Sequence, residues 1–227
     1  MTQIKPCILL VALTLSFVTI SFAQPKNYEI RNGFAIGGGI TQFDIQTDNL
    51  STKAGSGWLV SAGTGAVLPH RWYDISYNMQ ISENNFDISG RMSDDVNGNE
   101  TIEYKMFAVQ AGIIWHINII GSFLTLDLGP QLQYNGDLEV KNDGQSDYFL
   151  NGFDMLQAKD IEDINNFNIN AMGGATAGIG PVKVRAQYIY GILNTFNKLN
   201  DENLNVPEST DFKGNQSFWM FSASFTF

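Results

Sequence analysis

The chain has little of three things: cysteine, histidine and positive charge. One cysteine, Cys7, and two histidines, His70 and His116, occur in 227 residues. Thirteen Lys and Arg face 23 Asp and Glu, a formal charge of -10. So acidic a chain lacks the basic stripe that nucleic acid requires, and no nucleic-acid partner is expected. A bare anionic membrane surface would repel it unless divalent cations bridged the two. Long apolar runs are also missing. Residues 8–20 form the one sustained run, too short for a comfortable membrane-spanning helix. Mean hydropathy is near zero, which argues against a helical membrane protein but not against a barrel, whose alternating residues average out.

The start of the chain reads as a targeting segment. Lys5 gives a positive start, the apolar run follows, and Ser21-Phe22-Ala23 offers small residues at the two positions a signal peptidase reads. Residues 1–23 are therefore expected to be a Sec signal peptide, with 24–227 as the mature domain. Cys7 would be lost on cleavage. The mature chain would then need no disulfide and carry no thiol nucleophile or thiolate metal ligand.

What is present is a period of two. In residues 72–82, Tyr73, Ile75, Tyr77, Met79 and Ile81 share one face and Asp74, Ser76, Asn78 and Gln80 the other. Successive side chains of a strand point to opposite faces, so this is a strand with one oily and one wet side. Residues 123–134, 182–192 and 217–227 repeat the pattern, and 34–45, 58–68, 104–117 and 167–179 follow it less cleanly. Eight strands result. Short links at Pro69-His70, 118–122 and Gly180-Pro181 alternate with long polar links at 46–57, 84–103, 135–166 and 193–215. Short turns at one end and long loops at the other are the ordering of an outer-membrane barrel. The expected fold is all-β, an eight-stranded antiparallel transmembrane β-barrel of up-and-down meander type. Its loops are expected outside the cell, and both termini in the periplasm of a Gram-negative bacterium. A soluble lipocalin-like barrel or sandwich is the alternative. It is disfavoured by inner faces rich in Gly, Ser, Thr, Asn, Gln and charge. Trp72, Tyr73, Trp115, Phe123, Phe225 and Phe227 gather near one end, and Trp58, Tyr134, Tyr190 and Trp219 near the other, as interfacial belts do.

The chain resembles small outer-membrane barrel proteins of the Bacteroidota, the PorT-like family. The resemblance rests on Ala23-Gln24 at the cleavage site, the glycine-rich first strand Gly33-Phe34-Ala35-Ile36-Gly37-Gly38-Gly39, and the aromatic last strand, 217–227. It implies a place in the envelope, as a structural barrel or as an accessory of the type IX secretion pathway. It also implies that Trp219, Phe221, Phe225 and Phe227 form a C-terminal signal read by the barrel-assembly machinery. Outer-membrane lipid, lipopolysaccharide and a secretion or surface complex are the partners it implies.

The expected inner face carries four charges near the short turns: Asp74, Asp127, Lys183 and Arg185. In so narrow a lumen they can meet as a salt-bridge plug, since unpaired buried charge is costly. The other reading is a selectivity constriction in a narrow channel for small solutes or apolar ligands. No enzyme and no cofactor are expected, because His70 and His116 lie at the short-turn end with no serine motif beside them. The run Asp94-Asp95-Val96-Asn97-Gly98-Asn99-Glu100 fails the spacing of a calcium loop, so no metal is expected. In the third loop, Tyr148-Phe149-Leu150, Phe153 and Met155-Leu156 read as a small lid, a partner contact or simple loop packing.

Overall fold

A computed structural model describes residues 31–68, 71–92, 98–207 and 209–227. The signal segment, Pro69-His70 and residues 94–97 of the acidic loop lie outside the described residues.

Among the described residues nine strands form: β1 (Arg31–Gln46), β2 (Thr52–Val67), β3 (Tyr73–Arg91), β4 (Glu100–Ile120), β5 (Leu124–Val140), β6 (Phe149–Leu150), β7 (Phe167–Ile179), β8 (Val182–Gly191) and β9 (Asn215–Thr226). Eight of them close a ring in which every neighbour is antiparallel. The order is β1-β2-β3-β4-β5-β7-β8-β9, and β9 returns to β1 from Ala35↔Thr226 to Gln46↔Asn215. Closure pairs the backbone groups that an open edge would expose, the condition for a strand surrounded by lipid. β6 is an addition. It pairs Leu150 with Gly90 and Phe149 with Arg91, where β3 has outrun the last β2 partner, Thr52↔Ile88.

The side chains divide as the alternation predicts. On β4, Phe107, Val109, Ala111, Ile113, Trp115 and Ile117 point outward, and Phe107, Ile113 and Trp115 are exposed. Ile36, Ile40, Trp58, Val60, Leu128, Leu132, Val184, Trp219 and Phe221 continue the oily surface round the ring. The belt runs from 107 to 117 on β4. At ~3.3 Å per residue and a tilt of ~40°, that is about 25 Å, the height of a bilayer-facing band. Water-soluble monomers rarely expose contiguous apolar patches beyond a few hundred Å², whereas this belt encircles the molecule. The barrel is a membrane-spanning one.

Two tight turns need residues that tolerate a left-handed backbone. Gly121 (φ +51°) and Gly180 (φ +60°) supply them. The other end departs from expectation. The first loop is only residues 47–51, and the second only 92–99, because β1 to β5 climb past the belt. The first loop is thus as short as the link at 68–72, and the strict alternation of short and long links does not hold. Above the belt the outer wall turns polar, with Lys105–Glu139 at 2.7 Å and Lys141–Glu103 at 2.6 Å.

The inner face departs too. It was expected to be polar throughout, but its loop-end third is an apolar core. Phe43, Phe86, Ile88, Ile102, Tyr104, Met106, Leu138 and Phe218 point inward and are fully buried. Phe43 lies 4.7 Å from Phe218 and 5.6 Å from Phe86, centroid to centroid. The reason is physical. Above the membrane, water surrounds the wall, so oily side chains turn inward as in a soluble protein.

The long links close this core from above. Leu150, Leu156, Ala158, Ile161 and Ile164 of the link 141–166, and Phe196, Leu199 and Phe212 of the link 192–214, are buried against it. The Tyr104 hydroxyl donates to the Ala158 carbonyl at 2.9 Å. Asn200 holds Phe212 through both its amide groups, at 3.0 and 2.7 Å. Phe153 packs on Phe212 at 5.6 Å between centroids. The third link is therefore a lid, with Met155 left exposed on its surface.

Candidate functional site

Below the apolar core lies a layer of amides. Gln80 of β3 donates to Gln110 of β4, which donates to Gln133 of β5 at 2.8 Å. Asn170 of β7 donates to the same Gln133 oxygen at 2.7 Å, and Gln133 donates to Gln216 of β9 at 2.5 Å. Met220, Met172 and Ile189 fill the spaces between. Five strands are thus tied across the lumen by neutral groups that carry no charge to desolvate.

The charges sit beneath, toward the tight turns, and strand register decides which of them meet. Asp127 faces His116 directly across the β4–β5 pair, and Thr176 faces Arg185 across β7–β8. Asp127 is wholly buried. Its Oδ1 lies 2.7 Å from His116 Nδ1 and accepts from Thr125 Oγ1 at 2.8 Å. Its Oδ2 accepts from the Thr176 hydroxyl and lies 3.5 Å from Arg185 Nε, which also donates to Thr176 at 2.9 Å. The two expected partners, Asp127 and Arg185, are therefore brought together.

The other two are not. Asp74 accepts from the backbone N–H of Leu68 at 2.8 Å and from Asn118 at 3.4 Å, and so braces the β2–β3 turn. Among the described residues Lys183 makes no ion pair. It stands two residues nearer the turn than Arg185, on the same inner face of β8.

His116 corrects another expectation. It does have a serine beside it. Ser76 Oγ lies 2.7 Å from His116 Nε2. Asp74 and His116 are paired across β3–β4, so Ser76 is a diagonal neighbour of the ring on the same inner face. A carboxylate can only accept, so His116 Nδ1 carries the proton given to Asp127. In the neutral ring Nε2 is then an acceptor for the Ser76 hydroxyl. Sequence alone hides this, since Ser76 and His116 are 40 residues apart, and only the register brings them together.

The group borders a cavity of about 140 Å³ at the tight-turn end, lined by Gly37, Ser61, Ser76, His116, Lys183 and Arg185 among others. Small residues of β1 and β2, Gly37, Ser61, Gly63 and Gly65 among them, line it. Gly37 also lets β9 approach closely, since a Cβ there would meet the Ala223 carbonyl oxygen at 2.7 Å.

On the outer surface the C-terminal strand turns Trp219, Phe221 and Phe225 to the belt. Phe227 packs on Phe225 at 5.0 Å and donates its N–H to the Phe34 carbonyl at 2.7 Å, fixing the end of the chain to β1.

These features define a closed, membrane-spanning β-barrel with a filled lumen and a folded cap. No family model matches the sequence, and no curated protein matches it. Several solved structures are similar in shape. Neisserial surface protein A aligns with a TM-score of 0.48 at 11% identity, over 86% of this chain and 97% of that one. The attachment invasion locus protein Ail of Yersinia pestis, solved with the heparin analogue sucrose octasulfate, aligns with a TM-score of 0.42 at 13% identity. That alignment covers 87% of this chain and 99% of Ail. Ail in a phospholipid bilayer nanodisc gives 0.40 at 15% identity.

Proposed function

We infer that the chain is a closed outer-membrane barrel. Its work is to hold a folded cap at the cell surface, as an envelope-structural element or as an accessory subunit of a secretion or surface machine. The observation that carries the reading is the filled lumen. Apolar side chains, an amide layer and the Asp127–Arg185 pair follow one another along it. Side chains packed across the lumen at these levels oppose the continuous water path that a channel or transporter needs. The closed ring and oily belt support the membrane location. β1 begins and β9 ends at the tight-turn end, which supports periplasmic termini and an external cap. The PorT-like resemblance supports the secretion-accessory form of the reading, and outer-membrane lipid and lipopolysaccharide surround the belt. The aromatic residues of β9 serve the barrel-assembly machinery as its C-terminal signal.

Affinity purification of the intact barrel from native membranes tests the accessory role. The expected result is a stoichiometric protein partner, lost when Met155 and its exposed neighbours on the cap are replaced by charged residues. Purification as a lone barrel would sink the accessory form.

A further inference from the structure

We propose that Ser76, His116 and Asp127 form a nucleophilic triad facing the cavity at the tight-turn end, and that the barrel hydrolyses short-chain carboxylic esters there. This goes beyond the closed-barrel reading and does not depend on the cap or its partners.

Three strands supply one residue each, and register alone aligns them. The chain of contacts is Ser76 Oγ to His116 Nε2 at 2.7 Å, then His116 Nδ1 to Asp127 Oδ1 at 2.7 Å. This is the order a serine nucleophile requires: hydroxyl, base, orienting carboxylate. Asp127 is itself fixed by Thr125 and Thr176 and paired with Arg185, so the imidazole is held in one tautomer and one plane. Ser76 is partly exposed and borders the cavity, so a small substrate can reach its hydroxyl. Asn78, two residues along β3 on the same inner face, Lys183 and Arg185 line the same space. Their side-chain N–H groups share the cavity with Ser76 and are the ones assigned to a developing oxyanion.

The chemistry closes on itself with water as the only co-reactant. Ser76 Oγ bonds to the acyl carbon while its proton passes to His116 Nε2. The C–O bond to the alcohol breaks as His116 returns that proton to the leaving oxygen. Water, losing a proton to the same nitrogen, then attacks the acyl-serine, releasing the carboxylic acid and restoring the hydroxyl.

Size limits the substrate. The cavity of about 140 Å³ is close to the ~150 Å³ that admits a benzene-sized ligand. Acyl groups of a few carbons fit, and fatty acyl chains do not. The amide layer closes the route from the cap side, so the ester enters at the tight-turn end.

The test is covalent capture on the refolded full-length barrel. An ethyl fluorophosphonate should add one adduct, mapped by peptide mass spectrometry to Ser76, and hydrolysis of p-nitrophenyl acetate should stop with it. Ser76→Ala should lose the adduct. His116→Gln should slow labelling at least ~100-fold, the worth of a positioned general base. Folding of each variant is checked by circular dichroism and by heat-dependent gel mobility. Because the adduct is mapped on the unaltered protein, a variant that fails to fold leaves the result readable. Absence of an adduct on the folded barrel, under conditions that fully label a known serine hydrolase, would overturn the proposal. So would an adduct at another residue.

Discussion

Asp127 of β5 and Arg185 of β8 meet in the lumen at 3.5 Å although β7 lies between their strands. The bridge is possible because Thr176 of β7 stands between them and bonds to both. Removing Arg185 leaves Asp127 wholly buried, with hydrogen bonds from His116, Thr125 and Thr176 but without the guanidinium charge. Arg185→Met is predicted to cost about 3 to 5 kcal/mol of stability. Thermal melting in detergent reads it out, and Asp127→Leu added to Arg185→Met should recover a large part of the loss. An unchanged melting curve for the single variant would remove the pair from the account of stability.

Gly129 sets a second limit. It faces inward on β5, where a Cβ would lie only 1.9 Å from the Ile113 carbonyl oxygen. The contact is with backbone, which cannot swing aside. Gly129→Ala is predicted to lower stability by more than ~1 kcal/mol, the lower bound for overpacking. Chemical denaturation of the refolded barrel measures it; a variant as stable as the parent would show that β4 and β5 can separate locally.

Closure of the lumen predicts electrical silence. Planar-bilayer recording should show no steps for the parent protein. Gln110→Ala, which cuts the amide layer, should stay silent as well, because Phe43, Phe86, Tyr104 and Phe218 still fill the loop-end third. Steady conductance in the parent would sink the closed-barrel reading.

The cap is predicted to respond to pH through Glu162. Burial in the lid pushes its carboxyl above the ordinary 4.5, and the neighbouring Glu139 and Asp137 push the same way against one backbone hydrogen bond from Val140. A raised folded value means that the closed cap binds a proton more readily than the open one. The stability it adds is full below pH 4.5 and is lost as pH rises through the folded value. Proteolysis of the link 141–166 should therefore quicken as pH is raised from that point, and Glu162→Gln should flatten the response. A profile unchanged by the substitution would assign the dependence elsewhere.

The barrel was legible because lipid and lumen impose opposite demands on alternate residues. The tall walls were written in the chain as well, in a form that a search for polar loops passes over. On β3 the apolar side chains are outward at Tyr73, Ile75, Tyr77, Met79 and Ile81, then inward at Phe86 and Ile88. The β3–β4 register runs unbroken through this stretch, so the switch of phase is not a bulge. It marks where the strand leaves the bilayer. β4 makes the same switch between Met106 and Phe107. The charge pair was half legible: depth from the turn brought Asp127 and Arg185 together but did not show that Asp74 would serve the turn instead. The Ser76–His116 contact depends on a register set over the whole length of β3 and β4, which no local motif encodes.

The amide layer has a further consequence. Neutral, cross-bonded and tied to five strands, it partitions the molecule into two compartments sharing one wall. A protein partner seated on the cap and a small molecule in the tight-turn cavity would lie on opposite sides of that wall.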